Sequence, residues 1–503
     1  MHLEHLSGGR ALVLAMALAL LAGVAPVAAQ NQSVELEALR KEIQELRRSD
    51  AEKQRKLDEL QRRIDMIQAQ PPAAEKPTTA ESALEEALRA TEAATPQRPV
   101  APPAETPAIL SGRIGGTRLR LIDISLDGLF AAGWSTETDQ SLQTLQGGGH
   151  DPRKRGFTIQ NIELSFQGAV DPYLTGEAHL IFFLDPLSGE SVLELEEAFL
   201  TTQSLPYGLQ LEAGQFFTEF GLTNPLHPHQ WHWQDQPVIN TRLFGPDGLR
   251  GPGFRLGWLI PIPWFSELHV GMQNANGETM ASFYANEEFF EERPIGGRPF
   301  VSQDVRNLAD FEYLVRWVNS WNLSPSLTGQ IGLSALFGPN ATGRDGRTRI
   351  YGTDLKLRWR PENNFRGWPF VLWETEVMGR QYLAARSVDD SDPDSPVVLP
   401  QATLGDWGFY TQALYGFHYG WAAGLRFEYA TGDGASVPDG READPFRDNR
   451  YRISPLLIWQ PSEFSRFRVQ YNYDRADHLA RGYAHSVWLG AEFLYGAHPA
   501  HKY

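Results

Sequence analysis

The residues of this 503-residue chain that could do chemistry crowd into one stretch, 214–251, which reads GQFFTEFGLTNPLHPHQWHWQDQPVINTRLFGPDGLRG. His227, His229 and His232 with Asp235 set imidazole and carboxylate donors close together, and imidazole suits zinc, copper and nickel. A bound metal needs at least three converging donors. The competing reading is that Pro225 and Pro228 stiffen a loop whose histidines and tryptophans pack and hydrogen-bond inside a pore. Loop spacing fixes no geometry as a helix face would, so the sequence favours packing over metal. Trp231, Arg242, Asp247, Arg250 and Arg255 complete the set. The last three are charges beside glycines, which either face one another across a narrow opening and set a transverse field or form a turn ion pair of little worth.

Catalysis has no comparable footing. No GxSxG, HExxH or P-loop stands in a suitable context. Glu196 and Glu197 are neighbours on an expected strand, where successive side chains point to opposite faces, so they are not expected to act together. No enzymatic activity and no resident cofactor are expected, zinc being the metal the histidines would suit.

A strand enters this stretch and another leaves it. Phe216, Phe217, Phe220, Trp231, Trp233 and Phe244 are costly to leave in water, so the long connection 218–251 is expected to fold into the mouth of a barrel and decide what passes. From residue 117 the chain alternates with period two. Ile162, Leu164 and Phe166 interleave with Glu163, Ser165 and Gln167, and Leu425, Phe427 and Tyr429 with Arg426, Glu428 and Ala430. Charge on one face and apolar side chains on the other are what a strand between lipid and water requires. About 16 such segments run from 117–134, 156–169 and 174–184 through 406–418 to 485–496, an even number suited to an up-and-down barrel. Trp258, Trp264, Trp317, Trp321, Trp359, Trp368, Trp407 and Trp421 are expected at interfacial girdles. Arg316, Arg358 and Arg426 are expected along the pore wall. Short turns would face the periplasm and long, Asp-rich connections the outside.

The fold class expected is therefore an all-β transmembrane barrel of about 16 antiparallel strands, preceded by an α-helical coiled-coil stalk. Residues 1–29 read as a signal peptide, with the apolar run Ala11–Leu21 too short to span a bilayer and small residues Val27, Ala28 and Ala29 before the cut. Residues 30–70 read as a periplasmic coiled coil, since Leu36, Leu39, Ile43, Leu46, Leu57, Leu60, Ile64 and Ile67 keep one heptad frame. Mixed Leu and Ile at both seam positions leave dimer and trimer open. Pro71 and Pro72 end the helix, 71–110 is a Pro/Ala-rich linker, and 111–503 is the barrel. The chain has no cysteine and a net charge of -17, which argues against nucleic acid as a partner.

The stalk, ELEEAF at 194–199, GQFFTEFG at 214–221 and the last strand with its terminal aromatic together resemble the phosphate-selective porin O/P family. The ending RISPLLIWQPSEFSRFRVQYNYD with GAHPAHKY is similar to porin-like proteins labelled zinc-regulated outer-membrane receptors. The resemblance implies a homotrimeric 16-stranded porin in the outer membrane of a Gram-negative-type bacterium, with a loop folded inward at a constriction. Phosphate porins line the pore with basic residues, whereas residues 111–503 carry 46 acidic and 32 basic side chains, which departs from that pattern. Three roles are compatible with these features: passive diffusion of small hydrophilic solutes or ions; a metal-binding receptor or uptake protein; or a barrel-anchored tether to peptidoglycan.

Overall fold

A computed structural model describes residues 110–496 apart from 115–116, 146, 187, 390–395 and 435–443. The expected signal peptide, the coiled coil and the linker up to residue 109 lie outside the described residues. Sixteen strands build the barrel: β1 (Thr117–Ser135), β2 (Gly156–Ala169), β3 (Leu174–Leu184), β4 (Ser191–Thr202), β5 (Leu209–Phe217), β6 (Arg250–Leu259), β7 (Phe265–Asn274), β8 (Phe311–Ser324), β9 (Leu327–Pro339), β10 (Arg347–Trp359), β11 (Phe370–Ala384), β12 (Ala402–His418), β13 (Trp421–Asp433), β14 (Arg450–Ser462), β15 (Ser465–Ala476) and β16 (Tyr483–Gly496). Each pairs antiparallel with the next, and β16 returns to β1 from Ser486↔Ser135 to Gly496↔Ser125. The sheet therefore has no edge, the condition for placing strands in lipid, where no water can satisfy an open row of amides. A short strand, Leu110–Ile114, doubles back on β1, and a hairpin of Ser387–Asp389 with Val397–Leu399 sits beyond β11.

β2 and β3 span 156–169 and 174–184 as the alternation predicts. The clearest departure is β12, which begins at Ala402 rather than 406, because Leu404 and Gly405 give too few side chains to make an alternation visible. Along β15, Arg466, Arg468, Gln470, Asn472 and Asp474 are buried while Phe467 and Val469 are exposed on the other face. This inverts a soluble protein, and it is the arrangement of a strand with lipid outside and a polar lumen inside. Trp258, Trp264, Trp321, Trp359 and Trp421 stand beside the short turns, with Trp264 and Trp321 rings 6.5 Å apart and Trp421 stacked on Trp459 at 5.9 Å. Trp368 departs from the girdle expectation. It is buried with Phe370, Leu372, Leu414 and Trp233, because the turn 360–369 folds it inward.

The lumen contains apolar packing as well as charge. Phe220, Ile239, Leu243 and Phe244 from the β5–β6 connection pack with Met280 and Phe283 from the β7–β8 connection and with Leu314, Leu336, Ile350 and Met378 of the wall. Among the described residues, three short α-helices occupy the loops: α1 (Asp139–Leu145), α2 (Val238–Phe244) and α3 (Glu287–Glu292).

Candidate functional site

The connection 218–249 lies inside the barrel, and its sequence explains its path. Its neck is stapled by Asn224, whose Nδ2 donates to the carbonyls of Thr218 (2.7 Å) and Leu249 (3.0 Å) while its Oδ1 accepts from Leu249 N (2.8 Å). Pro228 starts a one-turn 3-10 helix, Pro228–Gln230, and Pro237 precedes α2. The start of α2 is satisfied from the wall: Glu428 Oε2 accepts from Val238 N at 2.6 Å, closing one of the orphan amides every helix leaves. Gly221 sits at φ 67° with a wall carboxylate, Glu376, where a Cβ would stand, so both conformation and space require glycine.

Two anchors hold the loop. Asp235 reaches the wall formed by β13, β14 and β15. Arg426 and Arg452 pair with it, the latter at 2.9 Å, and Gln470 (2.8 Å) and Asn472 (3.0 Å) donate to it. Burial raises the Asp235 pKa, but the two guanidiniums outweigh that and hold it below the usual carboxylate value. Arg466 donates to the His229 carbonyl (2.6 Å), and Arg468 to the carbonyls of Trp231 and Trp233 (both 3.2 Å).

The second anchor is on β2, β3 and β4. His227 lies between three carboxylates: Nδ1 is 2.7 Å from Glu196 and 3.4 Å from Glu163, and Nε2 is 2.8 Å from Glu197. His229 Nδ1 and His179 Nδ1 each lie 3.0 Å from Glu163. Burial works against a charged His227, yet Glu163 and Glu196 prevail and hold the imidazole well above its ordinary pKa. Glu196 and Glu197 face the same way, contrary to the strand rule, and both reach His227. The register passes from His179↔Glu197 to Leu180↔Leu195, leaving Glu196 as an extra bulge residue that lets both carboxylates face the lumen.

The four residues expected to share a metal are thus divided. His227 and His229 meet at Glu163, whereas Asp235 is taken up by Arg426, Arg452, Gln470 and Asn472 on β13–β15. His232 is placed apart, among Glu374, Lys356, Arg466 and Arg468, and burial lowers its pKa to about 4. The other expected site residues are dispersed along the loop and the wall. Trp231 donates to the Leu226 carbonyl (3.1 Å), and Arg242 to the Asp448 carbonyl (2.8 Å). Asp247 lies 3.9 Å from His150. Arg250 pairs with Glu194 and donates to the Asp247 carbonyl (2.6 Å), and Arg255 pairs with Glu212 (2.9 Å) and Glu219. Each arginine of the expected transverse field is therefore neutralised by a glutamate of its own neighbourhood. Arg316 bonds Asp354 (2.7 Å), Arg426 bonds Glu428 (2.7 Å), and Arg358 follows Asp354 and Lys356 on one face of β10.

Sequence reasoning missed Arg450, Arg452, Arg466, Arg468, Asp474 and Glu492, which form the ion-pair wall on β14–β16. The signal was present as arginines two apart in RYR and RFR. It also missed Glu163 and His179 as partners of the loop.

Beside the second anchor, Ser165, His179, Glu197, Pro225, His227 and Gln230 line a cavity of about 260 Å³ that reaches Asp123 and Glu177 toward the short turns.

No family model matches the chain. An uncharacterized protein of Aquifex aeolicus (strain VF5) is 28% identical over 415 residues, covering 76% of this chain and 80% of that protein. Among solved structures, the outer membrane channel DcaP of Acinetobacter baumannii aligns with 75% of this chain and 98% of its own (TM-score 0.46, 13% identity). Pseudomonas putida OprB aligns with 74% and 94% (0.45, 10%), and an anion-selective porin from Comamonas acidovorans with 74% and 100% (0.44, 8%). At these scores the likenesses carry no functional weight.

Proposed function

We propose that the protein is an outer-membrane porin through which small hydrophilic solutes or ions diffuse, with the 218–251 stretch as the element that restricts passage. The observation that carries this reading is the inverted barrel: a closed ring with aromatic and aliphatic side chains outside, charges inside, and a long connection anchored across the lumen. A barrel serving only as an anchor needs no such anchored insert. Within the same proposal, residues 1–29 direct export, 30–70 form a periplasmic coiled coil, barrel and coil together support a homotrimer, and the stalk reaches peptidoglycan.

Liposome swelling tests it. Proteoliposomes holding the full chain should admit small sugars at rates that fall steeply with solute size. Swelling no faster than in protein-free liposomes for every solute would remove the porin reading.

A further inference from the structure

Asp127 on β1 and Glu163 on β2 are directly opposed in register, and both are buried. Like charges directly opposite are destabilising, and neither Asp127 oxygen has a hydrogen-bond partner. Glu196 and Glu197 bring two more carboxylates to the same region, and three imidazoles converge on it. The His179 and His227 rings are 4.6 Å apart between centroids and those of His227 and His229 5.6 Å. The carboxylates between the rings need positive charge, which ring protons or a bound divalent cation can supply, and the cation would displace the protons from the nitrogens it takes.

The spacing also suits a metal. Donor atoms of Glu163, His179 and His227 lie within 4.8 Å of one another. Glu163 oxygens stand 3.0 Å from His179 Nδ1 and 3.4 Å from His227 Nδ1. Donors arranged tetrahedrally at about 2.0–2.1 Å from zinc are separated by roughly 3.3 Å. The adjoining cavity gives a route, lined by the further carboxylates of Asp123 and Glu177.

We propose that Glu163, His179 and His227 bind a divalent transition-metal cation of the zinc type, with His229 and Glu197 within reach. Two ligands come from the wall and one from the loop, so the cation ties the loop to the barrel. This site differs from the HPHQWHWQD set legible in the sequence: it draws two donors from strands and leaves out His232 and Asp235. Binding does not depend on conduction, so this proposal and the porin reading fail separately.

The test is calorimetric titration of the full chain, purified in detergent and stripped with chelator, with zinc chloride. One zinc should bind per chain at micromolar or lower concentration. Affinity should fall at least about tenfold in His179→Ala, His179→Gln and Glu163→Gln, each checked for unchanged strand content by circular dichroism. His232→Ala should stay within about twofold of wild type, and magnesium should not compete. Absence of saturable binding, undiminished affinity in folded His179→Gln, or equal affinity for magnesium would overturn the assignment.

Discussion

Asp235 takes bonds from Arg426, Arg452, Gln470 and Asn472, partners 191 to 237 residues away in the chain. No local motif announces such a hub, so the sequence shows Asp235 only as a neighbour of histidines. Asp235→Asn would leave two buried guanidiniums without their shared countercharge, at a cost of about 3–5 kcal/mol. The expected outcome is trypsin cleavage after Arg242 in the folded, detergent-solubilised variant where wild type resists; equal resistance would count against the anchor. His232 makes a pH prediction. Its folded pKa, lowered by burial to about 4, lies below the ordinary 6.5, so the released loop takes up protons that the seated loop refuses. Seating should weaken as pH falls from about 6.5 toward 4. His232→Gln should flatten that part of the profile, read by fluorescence of Trp231 and Trp233; an unchanged slope would remove His232 as its source.

Strands are the legible elements, because period two survives in RFRVQYNYD and in the segment around Glu163 whatever the fold's closure demands. The bulge in β4 leaves a fainter mark: Glu194 and Glu196 alternate with Leu193 and Leu195, and Glu197 then breaks the phase. That slip is readable, yet strict alternation puts the two glutamates on opposite faces, and only the pairing with β3 shows the extra residue. The loop is legible as a functional stretch from its aromatics and prolines. Its division between two walls is not, since spacing along a loop fixes no direction in space. Trp233 shows what seats it: the side chain is fully buried among Phe370, Leu414 and Ile458, and its Nε1 donates to the Ser454 carbonyl at 2.9 Å. Trp233→Ala should destabilise the seated loop by about 3–5 kcal/mol. Thermal melting followed by near-UV dichroism should show an earlier transition, while loss of strand signal stays at the wild-type temperature; coincident, unshifted transitions would contradict this.

For the molecule as a whole, the ring of sixteen strands closes through β16 and β1 within the described residues. Deleting 31–108 should therefore leave conductance unchanged while loosening attachment to the cell envelope, assayed by co-sedimentation with peptidoglycan. Equal sedimentation would argue against a tethering stalk. Composition describes the barrel poorly in one respect. Net charge describes the whole chain, whereas the lumen wall of β13–β16 pairs its arginines with Asp235, Glu428, Asp474 and Glu492. The loop, rather than overall charge, is accordingly the proposed filter. Single-channel recording tests that most directly, comparing wild type with a variant whose residues 224–245 are replaced by a short Gly-Ser linker. A loop that constricts the lumen predicts small, discrete conductance steps for wild type and steps several-fold larger for the variant. Identical steps in the two proteins, or none in either, would contradict it.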